Sequence, residues 1–325
     1  MNNGAIYLLF FSLSVIMTMA IERPLIVFLK SKAPQPIYED GPSWHLTKAG
    51  TPAMGGIGFI IPITILLLIA GILYISKGDI YNGTSLIIVM LYACLNSLIG
   101  LFDDIVKIKR KSNGGLSPMQ KLGLQLILAV IFLMARKFYF SDPTTLSFVF
   151  GKIDLGILYY PFALAILLGI INCANLTDGI DGLASWVAFS VAITLFICYG
   201  TKSDIGLICS VVGGGVLAFL YFNSNPAKIF MGDTGSLFLG SLAAALGFCV
   251  KNPFSSVIFG SVYVIEGISV ILQVVIFKMT KKRLFRMAPI HHHLEKCGIR
   301  ETGISVLGVI ITIISSAICG LVIRL

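Results

Sequence analysis

Charged residues are scarce in this sequence. Asp, Glu, Lys and Arg make up 12% of the 325 residues, about half the share found in soluble domains. Hydrophobic residues make up 57%, and the mean hydropathy is +0.94. This composition excludes an ordinary soluble domain. It predicts an all-α polytopic membrane protein with a single integral-membrane domain over residues 1–325.

Paired cysteines, a separate basic region and internal repeats are also missing. The seven cysteines form no Cys-x-x-Cys pair, which argues against a disulfide framework and a zinc site. The net charge is +9, but no basic segment stands apart from the apolar runs and their short loops. We therefore expect no nucleic-acid partner, and we attribute the charge to topology and to contact with membrane lipid. The first apolar run has no basic segment before it and exceeds the core of a signal peptide, so we expect a true span.

Ten apolar runs approach the roughly 20 residues that a transmembrane helix needs. They cover approximately residues 5–29, 53–75, 84–102, 119–138, 157–174, 183–200, 204–222, 234–250, 254–278 and 303–323. The odd-numbered connections carry most of the 24 basic residues, so the positive-inside rule makes them cytoplasmic and places both termini outside. The fourth connection, about 139–156, then lies outside and contains β-like stretches suited to a small hairpin.

Acidic residues occur at the predicted cytoplasmic ends of three runs. Asp103 and Asp104 close the third run, Asp178 and Asp181 follow the fifth, and Asp233 opens the eighth. Carboxylates are costly beside hydrocarbon and are seldom kept there without a functional partner. We therefore expect these acids to converge on a magnesium-dependent site for a phosphorylated substrate.

The adjacent pair Asp103 and Asp104 has two interpretations. Neighbouring side chains on a helix point about 100° apart, so the two acids would divide roles between a metal and a substrate proton or lysine. The alternative is a solvated pair at a helix end, with Lys107 as its partner one turn away.

The segment 172–183 is rich in polar and turn-forming residues. It contains Asn172, Asn175, Asp178 and Asp181 together with two glycines. Such a turn can offer oxygen ligands and backbone donors to a nucleotide or a metal. The alternative is an ordinary connection between spans, in which Asn, Asp and Gly are favoured anyway.

The segment Gly232–Ser236 opens the eighth run. A helix N-terminus attracts anions, and Asp233 adds a hard oxygen ligand for Mg²⁺. Thr234 as an N-cap is the structural alternative, and it is compatible with the functional one. Asn223, at the end of the seventh run, is a further candidate ligand.

The ninth connection contains His291, His292 and His293 beside the basic segment 281–286. Consecutive side chains on a helix cannot all face one ion, so we expect one or two of these histidines to contact a phosphate or to move protons. A loop that only fixes topology would explain the basic residues but not the histidines. Lys48, before the second run, is a candidate phosphate clamp, and Glu266, inside the ninth run, must face the protein interior or a polar cavity.

These motifs resemble those of the phospho-N-acetylmuramoyl-pentapeptide transferases, within the polyprenyl-phosphate N-acetylhexosamine-1-phosphate transferase superfamily. The resemblance covers essentially the whole chain. Asp103-Asp104-x-x-Lys107 and the segments 172–183 and 230–237 are similar to motifs of the superfamily, whereas the segments 288–295 and 51–56 resemble the muramyl branch. Ala53 departs from that branch, which usually has a second Thr there, so a hydroxyl contact is missing.

The resemblance implies a homodimeric, ten-span enzyme of the bacterial inner membrane with a cytoplasmic active site. The implied reaction requires Mg²⁺ and transfers phospho-MurNAc-pentapeptide from UDP-MurNAc-pentapeptide to undecaprenyl phosphate, which gives lipid I and UMP. Implied catalytic residues are Asp103, Asp104, Asp233, His291 and His292, and implied metal ligands are Asp233 and Asn172. Implied substrate-binding residues are Lys48, Lys107, Lys121, Asn175, Asp178, Asp181, Asn223, Phe230 and His293.

Two other functions are compatible with parts of the pattern. A sister transferase that uses UDP-GlcNAc shares the aspartate motifs and differs chiefly in the histidine loop. An ion-coupled transporter also keeps acids within the membrane. Transporters usually show paired repeats and charges near the midplane, whereas here the acids are predicted to cluster at one face. Transport is therefore the weaker alternative.

Overall fold

The computed structural model of the protein describes residues 3–33, 48, 50–110, 114–200 and 203–323. Within these ranges the first helices are α1 (Asn3–Lys32), α2 (Gly56–Ser76), α3 (Ile80–Arg110), α4 (Pro118–Ala135), α5 (Tyr159–Thr177) and α6 (Leu183–Tyr199). The others are α7 (Ser203–Asn223), α8 (Gly232–Cys249), α9 (Ser255–Phe259), α10 (Ser261–Thr280), α11 (Ile290–Lys296) and α12 (Glu301–Val322). Lys111, Lys202 and Arg324, which entered the comparison of loop charges, lie outside the described residues.

Eight of the described helices are long and apolar enough to cross a membrane. They are α1, α2, α3, α5, α7, α10, α12 and α4, which continues through a π-helical turn at Arg136–Phe140. The prediction of an all-helical polytopic membrane protein is therefore confirmed. The two other predicted runs form α6 and α8, which have 17 and 18 residues.

Helix α8 lies at the centre of the described bundle. Its residues are buried from Thr234 to Cys249, and it packs against α2, α3 and α5. A helix that is apolar on all sides is expected in such a position. The core beside it is aromatic: the ring of Phe59 on α2 lies 4.9 Å from that of Phe219 on α7 and 6.2 Å from that of Phe238 on α8.

The end of the bundle away from the aspartate motifs is closed by a hairpin and buried polar contacts. Strand β1 (Thr145–Phe148) pairs antiparallel with β2 (Gly151–Asp154), which confirms the predicted hairpin. The Arg136 side chain is 2% exposed, and its Nε lies 2.6 Å from Asp142 Oδ2. Arg136 Nη2 also donates to the backbone carbonyl of Phe248 at 2.8 Å. These contacts join α4 to the end of α8.

Two helix boundaries differ from the sequence prediction in ways that matter for the site. Helix α3 continues to Arg110, beyond the predicted end at 102, so Asp103, Asp104 and Lys107 lie on its last turns. The ninth run is interrupted at Gly260, which separates the short α9 from α10. The aspartate motifs all occur at one end of the bundle, where α3, α5 and α7 finish and α4, α6, α8 and α12 begin.

Candidate active site

Three of the predicted acids meet between α3 and α8. One ligand oxygen from each of Asp103, Asp104 and Asp233 lies within 4.8 Å of the other two. The two helices touch at this point: a Cβ added to Gly100 would collide with the backbone carbonyl of Asp233. The expected convergence is therefore confirmed for these three carboxylates.

Two lysines sit among the three carboxylates. Lys107 Nζ lies 2.7 Å from Asp103 Oδ2 and 3.2 Å from Asp233 Oδ1. Lys121 Nζ lies 2.9 Å from Asp233 Oδ2 and 3.4 Å from Asp103 Oδ2. Lys107 is thus both the helical neighbour of Asp103 and a partner of Asp233 on another helix. Three carboxylates against two ammonium groups give the cluster a formal charge of −1, which favours an additional cation.

Asp103 and Asp104 have different partners, as their angular separation on α3 requires. Asp104 accepts hydrogen bonds from the backbone N–H groups of Asp233 at 3.1 Å and Thr234 at 2.9 Å, and from Thr234 Oγ1 at 2.6 Å. It therefore caps the N-terminus of α8 from a neighbouring helix, because those first N–H groups have no partner within α8. Thr234 itself is not the N-cap residue. Asp103 instead accepts from the backbone N–H of Leu116 at 2.7 Å.

A cavity of about 690 Å³ opens beside this cluster. Its polar lining includes Asp103, Lys107, Arg110, Lys121, Asn175 and Asp233. Asp104 does not line it, in agreement with its role as a helix cap. Three cationic side chains and two carboxylates around one cavity suit an anionic ligand that arrives with a metal ion.

The two asparagines of α5 differ in their contacts. Asn175 Nδ2 donates to Asp233 Oδ1 at 3.1 Å and to Ser236 Oγ at 2.8 Å. Asn172, one turn earlier, donates to Gln125 Oε1 on α4 at 2.7 Å. Asn175 is therefore the amide that contacts the acidic cluster, while Asn172 as a metal ligand stays a prediction.

Asp178 caps the C-terminus of α5 and lies near the negative charges of Asp233 and Asp104. Its carboxylate makes no hydrogen bond or ion pair with another residue in the described ranges. Burial, and then the charges of Asp233 and Asp104, raise the pKa of Asp178 well above its usual range. This partly buried acid therefore keeps its proton to a higher pH than an exposed aspartate does.

Asp181 belongs to a second charged cluster that also contains Lys48. Lys48 Nζ lies 2.7 Å from Asp181 Oδ1 and 2.7 Å from Glu301 Oε1. The other oxygen of Asp181 accepts from the backbone N–H of Ala227 at 2.9 Å. Glu301, which begins α12, was not predicted from the sequence.

The first two histidines of the predicted string each pair with a carboxylate. His291 is fully buried on α11, and its Nδ1 lies 3.0 Å from Glu266 Oε2. Its Nε2 has no hydrogen-bond partner among the described residues and abuts Gly179, where an added Cβ would collide with it. His292 Nδ1 lies 2.6 Å from Glu295 Oε2. The 3%-exposed Glu266 faces the interior, as predicted.

Three other predicted substrate-binding residues form hydrogen bonds with partners that belong to neither charged cluster. His293 Nδ1 accepts from the backbone N–H of Arg286 at 3.2 Å. Buried Asn223 accepts from Ser185 Oγ at 2.7 Å and donates to the carbonyl of Ile229 at 3.0 Å. The partly buried Phe230 donates its backbone N–H to the Pro52 carbonyl at 2.9 Å. These bonds hold local structure, and the roles of the three residues in substrate binding stay predictions.

Comparisons with known proteins identify the family. The model of the family described as glycosyl transferase family 4 matches residues 86–251. The phospho-N-acetylmuramoyl-pentapeptide-transferase of Clostridium botulinum (strain Alaska E43 / Type E3) is 42% identical over 293 residues, which are 88% of this chain and 86% of that protein. The proteins of the same name are 41% identical in Clostridium perfringens (strain 13 / Type A), over 91% of this chain and 92% of that one, and 40% identical in Enterococcus hirae, over 94% of each. The chain therefore belongs to the phospho-N-acetylmuramoyl-pentapeptide-transferase family, within glycosyl transferase family 4.

Proposed function

We propose that this protein transfers phospho-MurNAc-pentapeptide from UDP-MurNAc-pentapeptide to undecaprenyl phosphate in the bacterial cytoplasmic membrane. The products are UMP and lipid I, and the reaction is the first membrane step of peptidoglycan synthesis. Family membership supports the reaction. The observation that carries the proposal is the cluster of Asp103, Asp104 and Asp233 with Lys107 and Lys121 beside a cavity of about 690 Å³.

The carboxylates of this cluster fit a magnesium ion. They are hard oxygen donors, their cluster carries a formal charge of −1, and Asp103 and Asp233 line the cavity. Asp233 is the principal ligand in this proposal, with an α5 amide oxygen from Asn172 or Asn175 beside it. When bound, Mg²⁺ neutralises charge on the pyrophosphate and stabilises the leaving UMP.

Asp103 orients the phosphate of the lipid acceptor and takes its proton when one is present. The second pKa of a phosphate is about 6, so only a weak base is required. An oxygen of that phosphate forms the new bond to the phosphorus attached to MurNAc. The bond between this phosphorus and the bridging oxygen breaks, and the electron pair leaves with UMP.

The contacts of Asp103 favour this single displacement over a covalent intermediate on the enzyme. Asp103 Oδ1 accepts from Leu116 N at 2.7 Å, and Oδ2 lies 2.7 Å from Lys107 Nζ. A carboxylate with both oxygens in such contacts is a weaker nucleophile, because the hydrogen bond and the ion pair stabilise the electron pairs that it would donate.

The donor nucleotide is assigned to the second charged cluster and the turn that connects the two. In this proposal Asn175, Asp178 and Asp181 hold the uridine end, and Phe230 stacks on uracil. Lys48, His291 and His292 add positive charge or hydrogen-bond donors near the diphosphate, with His293 and Asn223 at the edge of the same region. The histidine string favours the muramyl donor over UDP-GlcNAc, because the segment 288–295 resembles the muramyl branch of the superfamily.

The arrangement in the membrane follows from the loop charges. We propose that α6 and α8 complete ten spans and that both termini lie outside, so the charged clusters face the cytoplasm. We also propose a homodimer, on the resemblance to the family alone. An ion-coupled transporter is disfavoured because the cluster acids lie at one end of the bundle and are paired with lysines there.

Formation of lipid I tests the proposal. The purified protein, given UDP-MurNAc-pentapeptide with a radiolabelled peptide, undecaprenyl phosphate and Mg²⁺, is expected to move the label into an organic-soluble product. A folded sample that leaves all of the label in the aqueous phase would contradict the proposed function.

A further inference from the structure

Glu301 joins three segments of the candidate site to α12. Its Oε2 accepts from the backbone N–H of Asp181 at 3.0 Å and from Lys48 Nζ at 2.8 Å. The amide of Asn225 lies 3.4 Å from the same oxygen. Glu301 thus links the turn after α5, the segment before α2 and the connection between α7 and α8.

An acid at the start of a helix commonly does no more than complement the helix dipole. Glu301 stands in that position, which explains why its sequence context gives no functional signal. Its carboxylate, however, is directed to Lys48 and to Asp181 of another connection. Both bonds involve an ionised group, and such bonds are shorter and stronger than neutral ones.

Lys48 is held from two sides. Its ammonium group lies 2.7 Å from Asp181 Oδ1 and 2.7 Å from Glu301 Oε1, and the lysine side chain is 19% exposed. A flexible lysine side chain would otherwise sample many rotamers, at an entropic cost to any ligand that fixes it. Two carboxylates in contact with one ammonium group settle its position before the ligand arrives, while the exposed part stays open to a ligand.

We propose that Glu301 is a positioning residue that holds Lys48 for contact with the nucleoside diphosphate part of the donor. This inference rests on the proposed function. Glu301 acts through Lys48 and does not touch the reacting atoms. Its removal therefore weakens donor binding without slowing the chemical step, and it does not affect the lipid acceptor.

The variant Glu301→Gln separates the two contacts of the residue. Glutamine keeps an oxygen for the Asp181 N–H but loses the charge that holds Lys48. We expect the KM for UDP-MurNAc-pentapeptide to rise about tenfold, with kcat and the KM for undecaprenyl phosphate changed by less than about twofold. Asp154→Asn, on the hairpin at the other end of the bundle, is the matched control and is expected to leave all three parameters unchanged.

A double-mutant cycle tests whether the effect passes through Lys48. In the Lys48→Met variant, the further substitution Glu301→Gln is expected to change the donor KM by less than about twofold. The ammonium group that Glu301 positions is already absent from that variant. Independent, multiplying effects of the two substitutions would overturn the proposal. So would a donor KM in Glu301→Gln that equals or falls below that of the wild type.

Glu301→Asp keeps the experiment decisive if Glu301→Gln does not fold. The shorter side chain keeps the charge but withdraws it from Lys48, and it should raise the donor KM by about threefold or more. An unchanged donor KM in folded Glu301→Asp would overturn the proposal. Failure of the wild-type protein to turn over the donor would instead contradict the proposed function, so the two failures are distinguishable.

Discussion

The carboxylate of Asp104 accepts a hydrogen bond from the backbone N–H of Asp233 at 3.1 Å. Asp104 therefore fixes the position of Asp233. Asp233 and Asp103 in turn contact the same two lysines. This contact explains how two adjacent acids serve one site: Asp103 lines the cavity, whereas Asp104 anchors the helix that presents Asp233.

Asp104→Asn is expected to destabilise the protein as well as to slow it. The asparagine amide group would replace one acceptor oxygen at the start of α8 by a donor, next to the N–H groups of Asp233 and Thr234. The free energy of unfolding should fall by about 1–2 kcal/mol, which is the usual range for a lost helix cap. Thermal unfolding in detergent measures this change. A melting temperature equal to that of the wild type would contradict the capping role.

Asp233→Ala is expected to abolish magnesium-dependent turnover while the protein stays folded. The substitution removes the proposed metal ligand and brings the formal charge of the cluster from −1 to zero, so the cluster no longer favours an additional cation. We expect a loss of roughly a hundredfold or more in kcat, measured as UMP release over a range of Mg²⁺ concentrations. Substantial residual turnover at any of these concentrations would rule out Asp233 as the principal ligand.

Asp103→Asn is expected to lower kcat, with smaller changes in the KM of either substrate. Asparagine fills the same volume and can accept the Leu116 N–H, but it cannot take a proton or balance Lys107. A loss of about a hundredfold is typical when a general base is removed. Steady-state kinetics with each substrate varied in turn provide the measurement. An unchanged kcat would remove Asp103 from the chemistry.

Gly179→Ala tests the contact between the turn after α5 and the histidine helix. A Cβ at residue 179 would collide with His291 Nε2, so the turn and the ring cannot both keep their positions. We expect a fall in kcat/KM for the donor of about tenfold or more. Gly169→Ala on α5 is the matched control, because a Cβ there meets no atom of the described part of the chain within 4 Å. Equal values of kcat/KM for the two variants would contradict a role of this contact in the use of the donor.

Asp178→Asn is expected to lower the activity and to raise the free energy of unfolding by an amount that depends on pH. The pKa of Asp178 is raised in the folded protein, so the folded state binds this proton more tightly than the unfolded state does. Ionisation of Asp178 therefore costs stability as the pH rises above the ordinary aspartate pKa of about 3.9. The variant should be more stable than the wild type at neutral pH, and the advantage should vanish below about pH 4. A stability difference independent of pH would contradict this assignment.

The sequence predicts the helices and the hairpin well because long apolar runs are strong signals. All ten runs contain helix, and the hairpin lies where β-like stretches interrupt the pattern. The interruption at Gly260 and the extension of α3 to Arg110 were not predicted. Helix α3 approaches α8 at Gly100, beside the backbone of Asp233, and no local sequence pattern reports such contacts between helices.

The convergence of Asp103, Asp104 and Asp233 was predicted from the sequence, but the different contacts of the site residues were not. The sequence could not separate Asp104 as a cap from Asp103 beside the cavity, since both stand at the end of one run. Nor could it show that Asn175 contacts Asp233 while Asn172 contacts Gln125, because the two amides lie on nearly the same face of α5. Glu301 was missed because its partners, Lys48 and Asp181, are distant in sequence.

The most direct test of the proposed function is UMP release by the purified wild-type protein, supplied with undecaprenyl phosphate and Mg²⁺ and with either UDP-MurNAc-pentapeptide or UDP-GlcNAc. Asp233→Ala protein, shown to be folded by its melting temperature, runs in parallel. The proposed function requires turnover with the muramyl donor alone, dependent on Mg²⁺ and absent from the variant. Turnover with UDP-GlcNAc alone, or equal rates for the wild type and the variant, would contradict it.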